Sequence, residues 1–165
     1  PIDSNTVDFE AELVVVIAAP GRNIEINNAW SHVAGVCPGQ DISDRGLQFA
    51  SSPPQFGLGK SKRGYSPFGP WLTSPDEISN KDEIIISCLL NGEEMQNSST
   101  ADLIFSVPEI VHFLSTIVEL LPGDVIFTGT PGGVGVSRKP PVFLNSGDSI
   151  VTTLTGIGTI TNRCV

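Results

Sequence analysis

The 165-residue chain is short of positive charge: nine Lys and Arg stand against eighteen Asp and Glu, a formal net charge of −9. Gripping a phosphate backbone needs the opposite balance, which excludes a nucleic-acid partner. Cysteine is scarce as well. Cys37, Cys88 and Cys164 are odd in number and far apart. That is neither a disulfide framework nor a zinc-ligand spacing, and it points to a reducing compartment, the cytoplasm. No apolar run approaches the ~20 residues of a membrane-spanning helix, so no membrane partner is expected. A Gly-x-Ser-x-Gly elbow is missing, which leaves a serine hydrolase without its nucleophile. The glycine-rich stretch Thr128–Gly135 lacks the Lys-Ser/Thr ending of a nucleotide P-loop, which removes an NTPase.

What is present is β-rich. Gly (17) and Pro (13) punctuate apolar runs rather than forming a linker. Glu12–Ala18 is a β-branched run that predicts a buried strand. Asn23–Ala34 predicts a short helix or turn capped by Asn27, and Gly39–Phe49 a loop followed by a short helix. Ala50–Gly64, rich in Ser, Pro, Gly and Lys, predicts a mobile loop. Phe68–Leu72 leads into a strand, Glu83–Leu90 is a strand, and Asn91-Gly92 signals a hairpin. Ser106 and Glu109 form a capping box around Pro108 and open a helix whose apolar face is Ile110, Phe113, Leu114 and Ile117. Val125–Thr128, Ser149–Leu154 and Gly158–Thr161 close the chain as strands. One mainly β (α+β) domain over residues 1–165 with one or two short helices is expected.

Glu10-Ala11-Glu12 carries the sharpest chemistry. Residues two apart on a strand share a face, so two carboxylates converge and repel unless a cation or proton lies between them. Hard oxygen ligands of this kind suit Mg²⁺, Mn²⁺ or Ca²⁺. Glu-x-Glu alone also reads as an ordinary solvent-facing pair. Asp41 offers a third carboxylate. Arg45 and Gln48 lie one helical turn apart and face one way, which suits a substrate carboxylate. Lys60, beside Gly59 in a loop, is able to reach into a site, and alone also reads as an ordinary solvated lysine. The glycines of Thr128–Gly135 let backbone N–H groups approach an anion. His32 and His112 are isolated and read as structural.

The order and wording of these segments resemble the catalytic domain of the fumarylacetoacetate hydrolase family. The resemblance rests on Asp8-Phe9-Glu10-Ala11-Glu12-Leu13, His32-Val33-Ala34-Gly35, Gly39-Gln40-Asp41-Ile42-Ser43 and Gly59-Lys60-Ser61. It continues through Gly69-Pro70-Trp71-Leu72, Asn91-Gly92-Glu93, Ile104 to Glu109, Leu121 to Ile126, Thr128-Gly129-Thr130-Pro131 and Gly147-Asp148, and covers roughly residues 7 to 161. It is strongest to the branch of acylpyruvate hydrolases, oxaloacetate decarboxylases and hydroxyhepta-dienedioate isomerases.

The resemblance implies a mixed β-roll or β-sandwich that forms a homodimer. It implies a divalent ion, Mg²⁺ or Mn²⁺ with Ca²⁺ as an alternative, held by Glu10, Glu12 and Asp41. It assigns catalysis to Lys60, Arg45 and Gln48, and substrate binding to those three with Thr130. The implied substrate is a small 2-oxo or 1,3-dicarbonyl acid, and hydrolysis, decarboxylation and isomerisation share one metal-stabilised enolate. Ser43-Asp44-Arg45-Gly46 departs from the family's Ser-Ala-Arg-Asp, and Lys62-Arg63 replaces its Phe-Asp. The family's N-terminal lid segment is expected to be absent, and a mitochondrial location would follow if a transit segment had been removed. Alternatives are a tailoring cyclase or isomerase of a larger metabolite, and a non-catalytic truncated member that binds a partner subunit.

Overall fold

The computed structural model describes residues 3–165. The described residues form three open sheets, two α-helices and five short 3₁₀ helices, as the mainly β expectation requires. Strand β1 (Val7–Asp8) pairs antiparallel with β4 (Ser43–Asp44). A three-stranded sheet has β2 (Ala11–Ile17) at its centre, flanked by β3 (Val33–Gln40) and β7 (Val125–Phe127). A four-stranded sheet runs β6 (Glu93–Ser99), β5 (Ile85–Leu90), β8 (Ser149–Leu154), β9 (Gly158–Arg163), all antiparallel.

β2 is buried on both faces: Leu13, Val15 and Ile17 belong to the hydrophobic core, and Val14 on the other face is fully buried as well. Its β-branched run fits that doubly covered position. Asn91 and Gly92 both have positive φ, 53° and 87°, the backbone that a two-residue hairpin turn demands, and they join β5 to β6.

Helix α1 (Arg45–Gln48) is a single turn whose N-cap, Asp44, accepts from Leu47 N. Helix α2 (Val107–Ile117) opens on the expected capping box, Ser106 with Glu109. Its buried face is Val107, Val111 and Ser115, with Ile110 and Leu114 at the margin. Phe113 and Ile117 are exposed instead, because they lie on the far side of that stripe.

Three local expectations change. Asn23–Ala34 becomes a 3₁₀ turn over Ile26–His32 capped by Glu25, with Asn27 inside it and no side-chain cap bond. Phe68–Leu72 forms no strand; only isolated bridges, Gly39 to Phe68 and Val36 to Thr73, run along the edge of β3. β3 itself is a full strand that the sequence did not suggest. Its Pro38 is tolerated because β3 is an edge strand of its sheet.

Candidate metal centre

Strand register builds the centre. β2 and β3 pair Ala11 with Gln40 and Glu12 with Gly39, so the next pair outward is Glu10 with Asp41. The Asp41 N–H donates to Glu10 O at 2.8 Å, which extends the ladder by one rung. Two-residue alternation puts Glu10 and Glu12 on one face of β2. Carboxylate oxygens of Glu10, Glu12 and Asp41 all lie within 4.8 Å of one another.

Two cations enter the cluster. Lys60 Nζ donates to Glu10 Oε2 at 2.7 Å and to Asp41 Oδ2 at 2.5 Å. Arg45 Nη2 donates to Glu10 Oε1 at 2.6 Å, its Nε to Asp8 Oδ2 at 2.8 Å, and its Nη1 to Gln48 Oε1 at 2.9 Å. The expected facing of Arg45 and Gln48 is therefore met, with the guanidinium directed at the protein's own acceptors. Burial works against the charge on Lys60, but Asp41 and Glu10 outweigh it and hold the ammonium above its usual range. Lys60 is accordingly held as an ammonium at neutral pH.

Glu12 differs. Burial, with Asp41 and Glu10 as like-charged neighbours, pushes its carboxyl up to about 8 against the pull of the Gly129 N–H and the Lys60 charge. With Glu12 ionised, the carboxylates of Asp8, Glu10, Glu12 and Asp41 exceed the charges of Arg45 and Lys60 by two. An all-oxygen donor set with two uncompensated negative charges fits one hard divalent cation.

The glycine-rich loop does meet anions, and they are the protein's own. Gly129 N–H donates to Glu12 Oε2 at 2.7 Å; Gly135 and Val136 N–H donate to the two oxygens of Asp8 at 2.7 and 3.0 Å. Thr130 Oγ1 donates to Ala11 O at 2.9 Å. Gln48 Nε2 is buried with no hydrogen-bond partner among the described residues, and so is a free donor beside Arg45. His32 and His112 bond the carbonyls of Ala19 and Ile24 through Nδ1 and stand apart from the cluster.

Asp8 had no assigned role from sequence. It is fully buried and supports Arg45, and the alternation Asp8, Glu10, Glu12 was its visible signal. Gln40 is also buried; its Oε1 accepts from Glu10 N at 3.0 Å, and no spacing rule pointed to it. A cavity of about 430 Å³ opens elsewhere, among Leu13, Ile86, Thr100, Ile110 and the loop 129–132. It lies on the Leu13 face of β2, and Glu12 projects to the other face.

Residues 1–165 match the family described as fumarylacetoacetate (FAA) hydrolase C-terminal. The chain belongs to the fumarylacetoacetate hydrolase family. It is 42% identical to the mitochondrial oxaloacetate tautomerase FAHD2A of Bos taurus over 100% of this chain and 52% of that protein. Among solved structures, the fumarylacetoacetate hydrolase of Exiguobacterium antarcticum superimposes with a TM-score of 0.94 at 37% identity, covering 99% of this chain and 58% of that one. The fumarylpyruvate hydrolase of Pseudomonas aeruginosa, solved in complex with Mn²⁺ and pyruvate, gives a TM-score of 0.90 at 33% identity, covering 100% and 68%. These relatives are enzymes of the family. The chain spans about half the length of the curated relatives it matches. None of its helices among the described residues is long and apolar enough to cross a membrane.

Proposed function

We propose that Glu10, Glu12 and Asp41 hold a divalent ion, Mg²⁺ or Mn²⁺ with Ca²⁺ as an alternative, and that the chain acts on a small 2-oxo or 1,3-dicarbonyl acid. The convergence of these three carboxylates with Lys60 carries the reading. A bound ion supplies Lewis-acid stabilisation of negative charge developing on substrate oxygen. Lys60, held protonated, orients the substrate or delivers a proton to it. Gln48 Nε2 binds a substrate oxygen, since a buried donor without a partner costs stability until a ligand takes it. Arg45 sets the orientation of Glu10 and Gln48 and brings positive charge to the distal polar group of the substrate. Thr130 holds the loop that faces the substrate carboxylate.

The same residues serve hydrolysis, decarboxylation and isomerisation, because each begins with charge on the same oxygen. A fumarylpyruvate hydrolase that binds Mn²⁺ and pyruvate, and a tautomerase of oxaloacetate, support the substrate class. A homodimer is part of the proposal: Ile104, Phe105, Phe113 and Ile117 are exposed apolar side chains. The cytoplasm is the proposed compartment, and the free state of all three cysteines fits it; the mitochondrion, which the name of a curated relative carries, fits equally.

The test is metal content after dialysis, followed by turnover of oxaloacetate and of an acylpyruvate with Mg²⁺ or Mn²⁺ added. Metal-dependent turnover of at least one is expected. Turnover insensitive to chelation, or a chain that takes up no divalent ion, would overturn the reading.

A further inference from the structure

Gln96 lies on β6, remote in sequence from Glu10, Glu12 and Asp41, and it is 1% exposed. It reaches the centre because β6 carries a bulge. Cys88 pairs with Gln96 and Leu89 with Glu94, which leaves Met95 without a partner. A bulge breaks the alternation of faces, so Met95 and Gln96 are adjacent and both buried. The bulge also presents the Met95 carbonyl to the glycine-rich loop. Arg138 Nη2 donates to it at 2.6 Å and Arg138 Nε donates to Gly133 O at 3.0 Å. Gly133 has φ 107°, and a Cβ there would run into Met95 O, so only glycine permits this docking.

From the bulge the Gln96 amide closes a ring. Its Oε1 accepts from Ala11 N at 3.0 Å; its Nε2 donates to Thr130 Oγ1 at 2.8 Å and to Pro131 O at 2.9 Å. Thr130 Oγ1 in turn donates to Ala11 O at 2.9 Å. Both polar backbone groups of Ala11 are thereby held by side chains outside its own sheet. Ala11 sits between Glu10 and Glu12, and the loop fixed by the same amide supplies the Gly129 N–H that binds Glu12 Oε2.

We infer that Gln96 is a positioning residue of the metal centre: through the ring Ala11–Gln96–Thr130 it fixes the spacing of the Glu10 and Glu12 carboxylates and the loop that orients Glu12. The inference rests on the metal reading proposed above. A carboxyl-terminated side chain would keep the bond to Ala11 N and lose the donation to Thr130; an apolar one would lose both.

The experiment measures Mn²⁺ affinity of the metal-stripped chain by electron paramagnetic resonance, without substrate, for wild type, Gln96→Met, Gln96→Glu, Thr130→Val, the Gln96→Met/Thr130→Val double variant and a Glu12→Gln control. Loss of an outer partner of a metal ligand typically weakens binding tenfold to a hundredfold, and that is expected for Gln96→Met, with Gln96→Glu intermediate. The double variant should bind no more weakly than the weaker single, since both cut one ring. The Mn²⁺ line shape of Gln96→Met should also broaden, a change that lowered fold stability alone does not produce.

Wild-type affinity in Gln96→Met, or full additivity in the double variant, overturns the inference while Glu12→Gln still loses the ion. If wild type binds no Mn²⁺, the metal reading falls and this inference with it. Should Gln96→Met not fold, Thr130→Val decides alone, and unchanged affinity there overturns the inference.

Discussion

Lys62 Nζ lies 2.8 Å from Asp44 Oδ2, so two residues at which the wording departs from what the family resemblance leads one to expect are partners. Asp44 stands where the resemblance leads one to expect Ala, and Lys62 where it leads one to expect Phe. Arg45, followed here by Gly46, is supported by the buried Asp8. Asp44 and Lys62 form an ion pair at the start of α1.

That pair predicts a pH dependence. Burial pushes the Asp44 carboxyl up, but hydrogen bonds from Lys62, Ser4, the Leu47 N–H and Thr6 outweigh it and hold it at about 2. A carboxyl lowered on folding contributes stability that is whole above its unfolded value near 3.8 and is lost as pH falls toward 2. Asp44→Asn keeps the helix cap and removes the ion pair. Its melting temperature should lie below wild type at pH 7, and the gap should close between about pH 4 and pH 2. A gap that is constant over that range would show that the pair carries no linkage.

Glu12→Ala should abolish the metal-induced rise in melting temperature and cut turnover by several orders of magnitude, as loss of the ion removes several kcal/mol of charge stabilisation. The metal-free variant should melt level with wild type or higher. Burial and like-charged neighbours make Glu12 costly to ionise, and the strand is held by Leu13, Val15 and Ile17. Thermal melts with and without Mn²⁺, beside a turnover assay, decide it. A variant that keeps both the shift and the activity would leave Glu12 a buried carboxyl with no part in holding the ion.

How far the centre was legible in the sequence depended on which spacing rule applied. The Glu10/Glu12 pair follows from alternation within one strand. Asp41 follows only from the β2–β3 register, and β3 is hidden because Gly35, Pro38 and Gly39 interrupt its pattern. The glycine-rich loop was legible as an amide surface for anions, yet not that Glu12 and Asp8 would be those anions. Gln40 and Gln96 were illegible because their partners lie 30 and 85 residues away. The helix α2 was read from its capping box, but its outer residues Phe113 and Ile117 needed the packing to place them.

The loop between Ser51 and Gly64 should close when substrate binds. Phe56 and Leu58 are exposed, at 57% and 77%, while Lys60 further along already reaches Glu10 and Asp41. Amide hydrogen exchange in residues 51–64 should be fast in the free chain and slow at least tenfold with Mn²⁺ and oxalate together. Slow exchange in the free chain, unchanged on adding both, would mean that the loop is a fixed wall.

Lys60 gives the sharpest separation of charge balance from chemistry. Its ammonium bridges Glu10 Oε2 and Asp41 Oδ2, and both oxygens belong to the proposed ion site. In the metal-free chain the ammonium is therefore the cation that keeps those carboxylates together. Lys60→Met removes two charge-assisted hydrogen bonds from a partly buried group, a cost of about 2 kcal/mol. For a chain of this size that lowers the melting temperature by roughly 4–8 °C. A divalent ion restores the missing positive charge, so Mn²⁺ should raise the variant's melting temperature by more than it raises that of wild type. Turnover should stay low even at saturating Mn²⁺, because the proton donor is gone. Melts of both proteins in chelator and in Mn²⁺, with turnover measured under the second condition, separate the two effects. Equal melting temperatures in chelator, with an unchanged Mn²⁺ shift, would show that the ammonium does not share these carboxylates with the ion.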